Sequence, residues 1–168
     1  TCGGVNMNII VAVDKNYGIG RDGGLLFSIP EDMAYFRSMT RGKTVIMGRK
    51  TLDSLPGGRP LKGRRNIVFS RNADFEREGV EKVSSVQELW DIIKEDNDAF
   101  VIGGEAIYRE MLPCCDKAYV TMVDAEADAD RFFPRIEDMP EWTLAQSSEW
   151  KEHEGIRFQF REYHRVAE

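Results

Sequence analysis

Thr44-Val-Ile-Met-Gly-Arg-Lys-Thr51 runs from an apolar segment straight into a helix start. Four strand-forming residues, then glycine, then a short helix to Leu55 make one strand–turn–helix unit. The same grammar recurs on both sides. Ile9-Ile-Val-Ala-Val13 is apolar at every position, as a strand covered on both faces would be. Asn66-Ile-Val-Phe-Ser70 reads as a third strand. Ser85 with Glu88 caps a helix whose core side is Val86, Leu89, Trp90 and Ile93. Ala99-Phe-Val-Ile-Gly-Gly104 is a strand that ends in paired glycines, and a helix over 106–112 is stopped by Pro113. Ala118 to Val123 is a further strand. Segments 142–149 and 156–165 form a final antiparallel pair turned at Gly155. Ile156, Phe158, Phe160 and Tyr163 share one face of it only through a bulge or register change. Alternating strands and helices predict an α/β domain, its central sheet mostly parallel, with antiparallel C-terminal edge strands and flanking helices.

Length and charge narrow the function classes. The 168 residues suit one core, and 42% hydrophobic content is that of a globular chain. A net charge of −6 argues against nucleic acid or an anionic membrane as the main partner. No apolar run reaches the roughly 18 residues of a membrane span. Cys2, Cys114 and Cys115 are an odd set with an adjacent pair, a poor disulfide framework, so reduced thiols and a cytoplasmic protein are expected. No C-x-x-C is present to suggest zinc. Residues 7–166 are expected to form the domain, with 1–6 as an extension or remnant.

The chemistry-bearing stretch is Leu25 to Thr40. Ser28 with Glu31 reads as a capping box, Pro30 falls in the first turn, and Ile29, Met33 and Phe36 form an apolar face. Asp32 falls on that same face. It is either a first-turn acid complementing the helix dipole or a cleft carboxylate that grips a cationic, donor-rich ring. Gly18-Ile-Gly-Arg-Asp-Gly23 is a literal G-x-G-x-x-G, but Gly24 to Phe27 separate it from the next helix, so a dinucleotide fingerprint is not expected. A mobile loop over a site fits 16–24 better. Arg49 and Lys50 open a helix, against the dipole. They are surface charges or they meet an anion such as a phosphate. The loop Pro56 to Arg65 is basic and rich in Pro and Gly. Asp32, 48–51, Ser70-Arg71 and Gly103-Gly104 all follow strand ends, where α/β sheets place their ligand crevice.

Six segments in order resemble the dihydrofolate reductase family: Val11 to Gly20, Ile29 to Met33, Val45 to Thr51, Gly63 to Asn66, Val101 to Glu105 with Ile107-Tyr108, and Tyr119 to Thr121. The resemblance covers about Met7 to Val166. It implies reduction of 7,8-dihydrofolate to tetrahydrofolate, for one-carbon metabolism, by a monomer that uses NADPH and is the target of antifolates. By that resemblance Asp32 holds the pterin and stabilises its protonated form, and water delivers the proton. Thr121 bonds Asp32, and Tyr108, Leu25 and Phe27 border the reacting centre. The implied substrate wall is Ile10, Val11, Ala12, Met33, Phe36, Arg37, Ser54, Leu55, Leu61 and Ile102, with Arg64 clamping the tail carboxylate. The implied cofactor side is Ala12, Ile19, Gly20, Leu25, Gly48, Arg49, Lys50, Thr51, Phe69, Ser70, Arg71, Ile102, Gly103, Gly104, Glu105, Ala106, Ile107 and Tyr108. The family's Gly-Gly pair has a cis peptide. One departure is Leu25-Leu26-Phe27, where the family pattern is Leu-Pro-Trp: Phe27 has no hydrogen-bond donor. Rival readings are a same-fold reductase of riboflavin synthesis and a non-catalytic folate- or pterin-binding protein.

Overall fold

The computed structural model describes residues 6–22, 26–96 and 98–166. In chain order the strands and helices are β1 Met7–Val13, β2 Gly18–Gly20, α1 Pro30–Thr40, β3 Thr44–Gly48, α2 Arg49–Ser54, β4 Arg65–Phe69, β5 Val80–Val83, α3 Val86–Ile93, β6 Ala99–Gly103, α4 Glu105–Met111, β7 Lys117–Val123, β8 Arg131–Phe132, β9 Trp142–Ser147, β10 Lys151–His153 and β11 Ile156–Arg165. The main sheet runs β10-β11-β7-β1-β6-β3-β4-β5, and β9 also pairs with β11. Pairings from β7 to β5 are parallel; those of β11 with β7, β9 and β10 are antiparallel. The predicted α/β architecture is therefore the observed one.

Burial explains the order. β1 lies between β6 and β7 and is buried along its length except for Ala12. Its alternate side chains feed two cores. Ile9, Val11 and Val13 pack with Leu89 and Ile93 of α3 and Met111 of α4. Ile10 faces the other way, with Val45, Met47 and Leu52 of α2, and Tyr35 and Phe36 of α1 border that second core. A helix layer on each face is what a sheet apolar on both faces requires. The bulge expected in the last strand is present, between Glu162 and Tyr163.

Five local features differ from the expectations. The α1 N-cap is Ile29 with no side-chain cap bond, because the helix starts at Pro30, two residues past Ser28. Ser28 Oγ lies 3.9 Å from Met33 Sδ instead. In α3, Ser85 does accept from Glu88 N, but the Glu88 carboxylate binds the Ser84 N–H and hydroxyl. Part of the glycine-rich segment is not loop: β2 pairs with β8 as a small separate ribbon. Cys115 is a buried free thiol, whereas Cys114 is disulfide-bonded, which corrects the expectation of reduced thiols throughout. β5 is a strand that the sequence pattern did not disclose.

Candidate active site

Asp32 lies in the first turn of α1, and Thr121 lies near the end of β7. Thr121 Oγ1 donates to Asp32 Oδ1 at 2.7 Å. The bond ties the helix to the sheet across 89 residues of sequence. Burial is the main influence on Asp32 and raises its pKa above the ordinary 3.8, while the Thr121 hydrogen bond pulls it back down. Among the described residues Thr121 is the side-chain donor to this carboxylate, which lies half-buried in the first turn of α1.

Apolar walls stand beside it. Phe36, Leu55, Leu61 and Ile102 pack partly buried against the cluster that contains Ile10. Tyr35 stacks on Phe160 at 4.3 Å between ring centroids, and burial first, then nearby Tyr119, Glu162 and Asp32, push its hydroxyl up to about 12. Met33, on the apolar face of α1, is 47% exposed. Phe27 packs against Ile29, Val123 and Phe158 in a separate small cluster. Leu25 lies outside the described residues.

Arg64 follows a turn at Gly63, whose φ is +71°. Its Nε donates to Thr40 Oγ1 at 3.1 Å and its Nη1 to the Lys62 carbonyl at 2.8 Å. Desolvation, with Arg41 and Arg37 nearby, lowers its pKa. Arg37 stands exposed in the last turn of α1. Asn66 shapes the loop that presents Arg64: it accepts from Leu61 N and donates to the carbonyls of Leu61 and Arg64. Arg65 is not available as a clamp. It holds Glu81 through two bonds, Asp96 at 2.9 Å and the Ile92 carbonyl.

The cofactor-side residues gather at the carboxyl ends of β1, β3 and β6. Val11, Ala12, Ile19, Gly20, Lys50, Thr51, Ser54, Ile102, Gly103, Gly104, Glu105 and Tyr108 line one cavity. Arg131, which sequence reasoning missed, lines it too. No motif marks Arg131; only the β2–β8 pairing brings it there. Tyr108 is buried and its hydroxyl donates to the Ile10 carbonyl at 2.8 Å, so it fixes the β1 backbone at the cleft. The Gly103–Gly104 bond is cis.

A dinucleotide fits this donor set. A Cβ at Gly103 or Gly104 would stand 3.4–3.5 Å from Thr51 Oγ1, so glycine keeps that wall clear. The N-caps of α2 and α4 are Gly48 and Gly104, with no side-chain cap bond to occupy the first-turn N–H groups. A Cβ on Gly48 would meet Ile107 at 3.1 Å. Arg49 reaches Asp53 at 3.7 Å and stacks over Phe75 at 4.5 Å. Ser70 is buried, Phe69 packs against the core, and Lys50, Arg71 and Ala106 are exposed. Of the residues expected at the phosphates, Lys50 and Thr51 line the cavity, whereas Arg49, Ser70 and Arg71 are not among its lining residues.

Comparison with known proteins gives the same grouping. The model of the family described as dihydrofolate reductase matches residues 6–165. The dihydrofolate reductase of Mycobacterium leprae (strain TN) is 43% identical over 152 residues, 88% of this chain and 90% of that protein. That of Bacillus subtilis (strain 168) is 40% identical over 143 residues, 85% of this chain and 83% of the relative. A solved structure of dihydrofolate reductase from Enterococcus faecalis, complexed with NADP(H) and RAB-propyl, superposes with a TM-score of 0.89. It is 30% identical, covering 99% of this chain and 98% of that one. The chain therefore belongs to the dihydrofolate reductase family.

Proposed function

We propose how the residues of this cleft divide the work of an NADPH-dependent dihydrofolate reductase, the oxidoreductase that converts 7,8-dihydrofolate to tetrahydrofolate. One observation carries the assignment of roles. Asp32 is a largely desolvated carboxylate with one protein donor, set beside apolar walls and next to the cofactor cavity. That environment suits a flat, donor-rich ring that becomes cationic during reaction, because a fixed charge acts strongly where water is excluded.

Asp32 binds the pterin edge and stabilises its protonated form, and Thr121 holds the carboxylate in place. The proton comes from water and not from Asp32. Phe36, Leu55 and Leu61 cover the ring and the aminobenzoyl group and exclude water. Arg64 takes the tail carboxylate with a planar fork, which suits a carboxylate better than an ammonium does. Arg37 adds positive charge on the same side. Bound NADPH supplies the hydride and leaves as NADP+. Ile102, Gly103, Gly104 and Tyr108 form the wall against which the nicotinamide side is oriented. Arg49, Lys50, Thr51, Ser70 and Arg71 bind the phosphate end.

The acting unit in this proposal is a monomer, as the family resemblance implies. Residues 7–166 are the domain that carries the reaction. We assign the cytoplasm as compartment because the reaction draws on NADPH; the Cys114 disulfide weighs the other way. No helix among the described residues is long and apolar enough to cross a membrane. The experiment is direct: mix the protein, NADPH and dihydrofolate, and follow NADPH absorbance. Oxidation that depends on dihydrofolate is expected. Its absence overturns the reading in favour of a binding protein, and oxidation only with a pyrimidine intermediate favours the riboflavin-type reductase.

A further inference from the structure

Asp14 ends the region of β1 and is 1% exposed. It makes no ion pair among the described residues; its neighbour Lys15 pairs with Asp124 at 3.7 Å instead. Its carboxylate is satisfied by backbone. Oδ1 accepts from Asn16 N at 2.8 Å and from Gly18 N at 2.7 Å. Oδ2 accepts from Ala127 N at 3.1 Å. One oxygen therefore folds its own loop, and the other reaches a segment 113 residues away. Buried anions are costly unless every lone pair finds a donor, so this one commits three N–H groups to a single geometry.

The neighbouring contacts show what that geometry carries. Lys15 N donates to the Ala125 carbonyl, Phe133 N to the Tyr17 carbonyl, and Asp130 N to the Gly20 carbonyl. A Cβ on Gly18 would lie 2.3 Å from Ala129 Cβ and 3.0–3.1 Å from both Asp14 oxygens, so the two segments touch there only because residue 18 is glycine. Tyr17 turns through a left-handed φ of +64° to make the approach. Directly beyond it, Ile19 and Gly20 line the cofactor cavity.

We propose that Asp14 is a positioning residue of the reaction: its carboxylate fastens β2 to the 125–127 segment and so sets where Ile19 and Gly20 stand in the cofactor cleft. Asp14 touches neither substrate nor cofactor. It acts through the strand it holds. The inference rests on the reading of that cleft as the NADPH site.

Asp14→Asn tests it with little change of shape. An amide oxygen can still accept from Asn16 and Gly18, but its NH2 then faces the Ala127 N–H, donor against donor. The loss of that cross-segment bond should lower kcat/KM for NADPH about tenfold, the factor that one such hydrogen bond carries. The KM for dihydrofolate should stay within about twofold, because its proposed contacts lie on other elements. The isotope effect on kcat with deuterated NADPH should rise as the hydride step becomes slower. Ile93→Val, in the core under α3, is the control for a simple loss of stability and should leave all of these at parental values. If Asp14→Asn melts lower with parental kcat, KM values and isotope effect, Asp14 is a structural brace only and the proposal is overturned. Gly18→Ala, with Asp14 intact, forces the segments apart and should show the same NADPH-specific loss, eased by adding Ala129→Gly; parental kinetics for Gly18→Ala also overturn the proposal. A parent that oxidises no NADPH with dihydrofolate overturns the functional reading instead, so the two failures are distinct.

Discussion

Arg64 Nε donates to Thr40 Oγ1 at 3.1 Å, which binds the loop before β4 to the last residue of α1. Thr40 is buried and its hydroxyl in turn donates to the Phe36 carbonyl. The guanidinium is thus aimed by a residue that no motif singled out. Its second protein bond is to the Lys62 carbonyl, and it meets no carboxylate among the described residues. Arg65, one residue on, is committed to Glu81 and Asp96. Arg64→Leu should therefore raise the KM for dihydrofolate by the loss of about 1.5–3 kcal/mol of charge-assisted binding. NADPH affinity should be nearly intact. Arg65→Leu should do the reverse, lowering Tm with an unchanged KM. If the two variants trade these signatures, the clamp has been placed on the wrong arginine.

Cofactor preference should rest on Arg71 and Arg49. Arg71 is exposed, and its removal should weaken NADPH by roughly the 1.5–3 kcal/mol of a hydrogen bond to a charged group, with little change in Tm. Arg49 is different because it also stacks on Phe75 and meets Asp53. Arg49→Ala should cost some stability as well as NADPH affinity, though Asp53 keeps Arg77 at 3.2 Å. The double variant should erode the preference for NADPH over NADH, chiefly through NADPH. A constant ratio of the two affinities would put the 2′-phosphate elsewhere.

Phe27 sits partly buried against Ile29, Val123 and Phe158, at the sequence position where the family pattern has a tryptophan. Phe27→Trp should fold, because the site is not sealed on every side. It should alter turnover or antifolate affinity by the 0.5–1.5 kcal/mol (order of magnitude) of one neutral hydrogen bond. Ligand-bound structures of parent and variant give the check: the same ordered water beside Asp32 in both would sink the idea.

The sheet was legible because β1, β3, β4, β6 and β7 are apolar runs closed by glycine or polar residues, and a strand covered on both faces leaves that mark. β5 left none, since Val80-Glu-Lys-Val83 is an edge strand with two charged side chains. The Asp32–Thr121 pair was legible only through the family pattern; spacing alone left two readings of Asp32. The supports were hidden for a different reason. Thr40, Asn66 and Asp14 act on backbone groups and side chains that only the fold brings near, so no local periodicity reports them. Ser28 misled because Pro30 fixed the start of the helix.

Asp32→Asn separates charge from shape at the centre of the cleft. The amide keeps the size of the side chain and can still accept from Thr121, which now donates to Oδ1 at 2.7 Å. The charge is lost where burial makes it count. Turnover of dihydrofolate should fall by orders of magnitude at neutral pH, while NADPH affinity holds, because its contacts lie on other segments. Part of the activity should return as pH falls and solvent protonates the substrate first. Stability should move the other way. Burial raises the Asp32 pKa above its unfolded value, so the native state holds that proton more firmly than the unfolded chain. Above the raised value the ionised carboxylate costs stability, between the two values the cost fades as pH falls, and below about 3.8 it is gone. The ligand-free Asn variant should therefore melt higher than the parent at neutral pH, and the gap should close toward acid. Thr121→Val should raise the Asp32 pKa further, since it removes the bond that lowers it. Paired melts and kcat profiles across pH decide the matter. Near-parental turnover of the Asn variant at neutral pH, with no gain in Tm, would mean that Asp32 serves the helix rather than the ring.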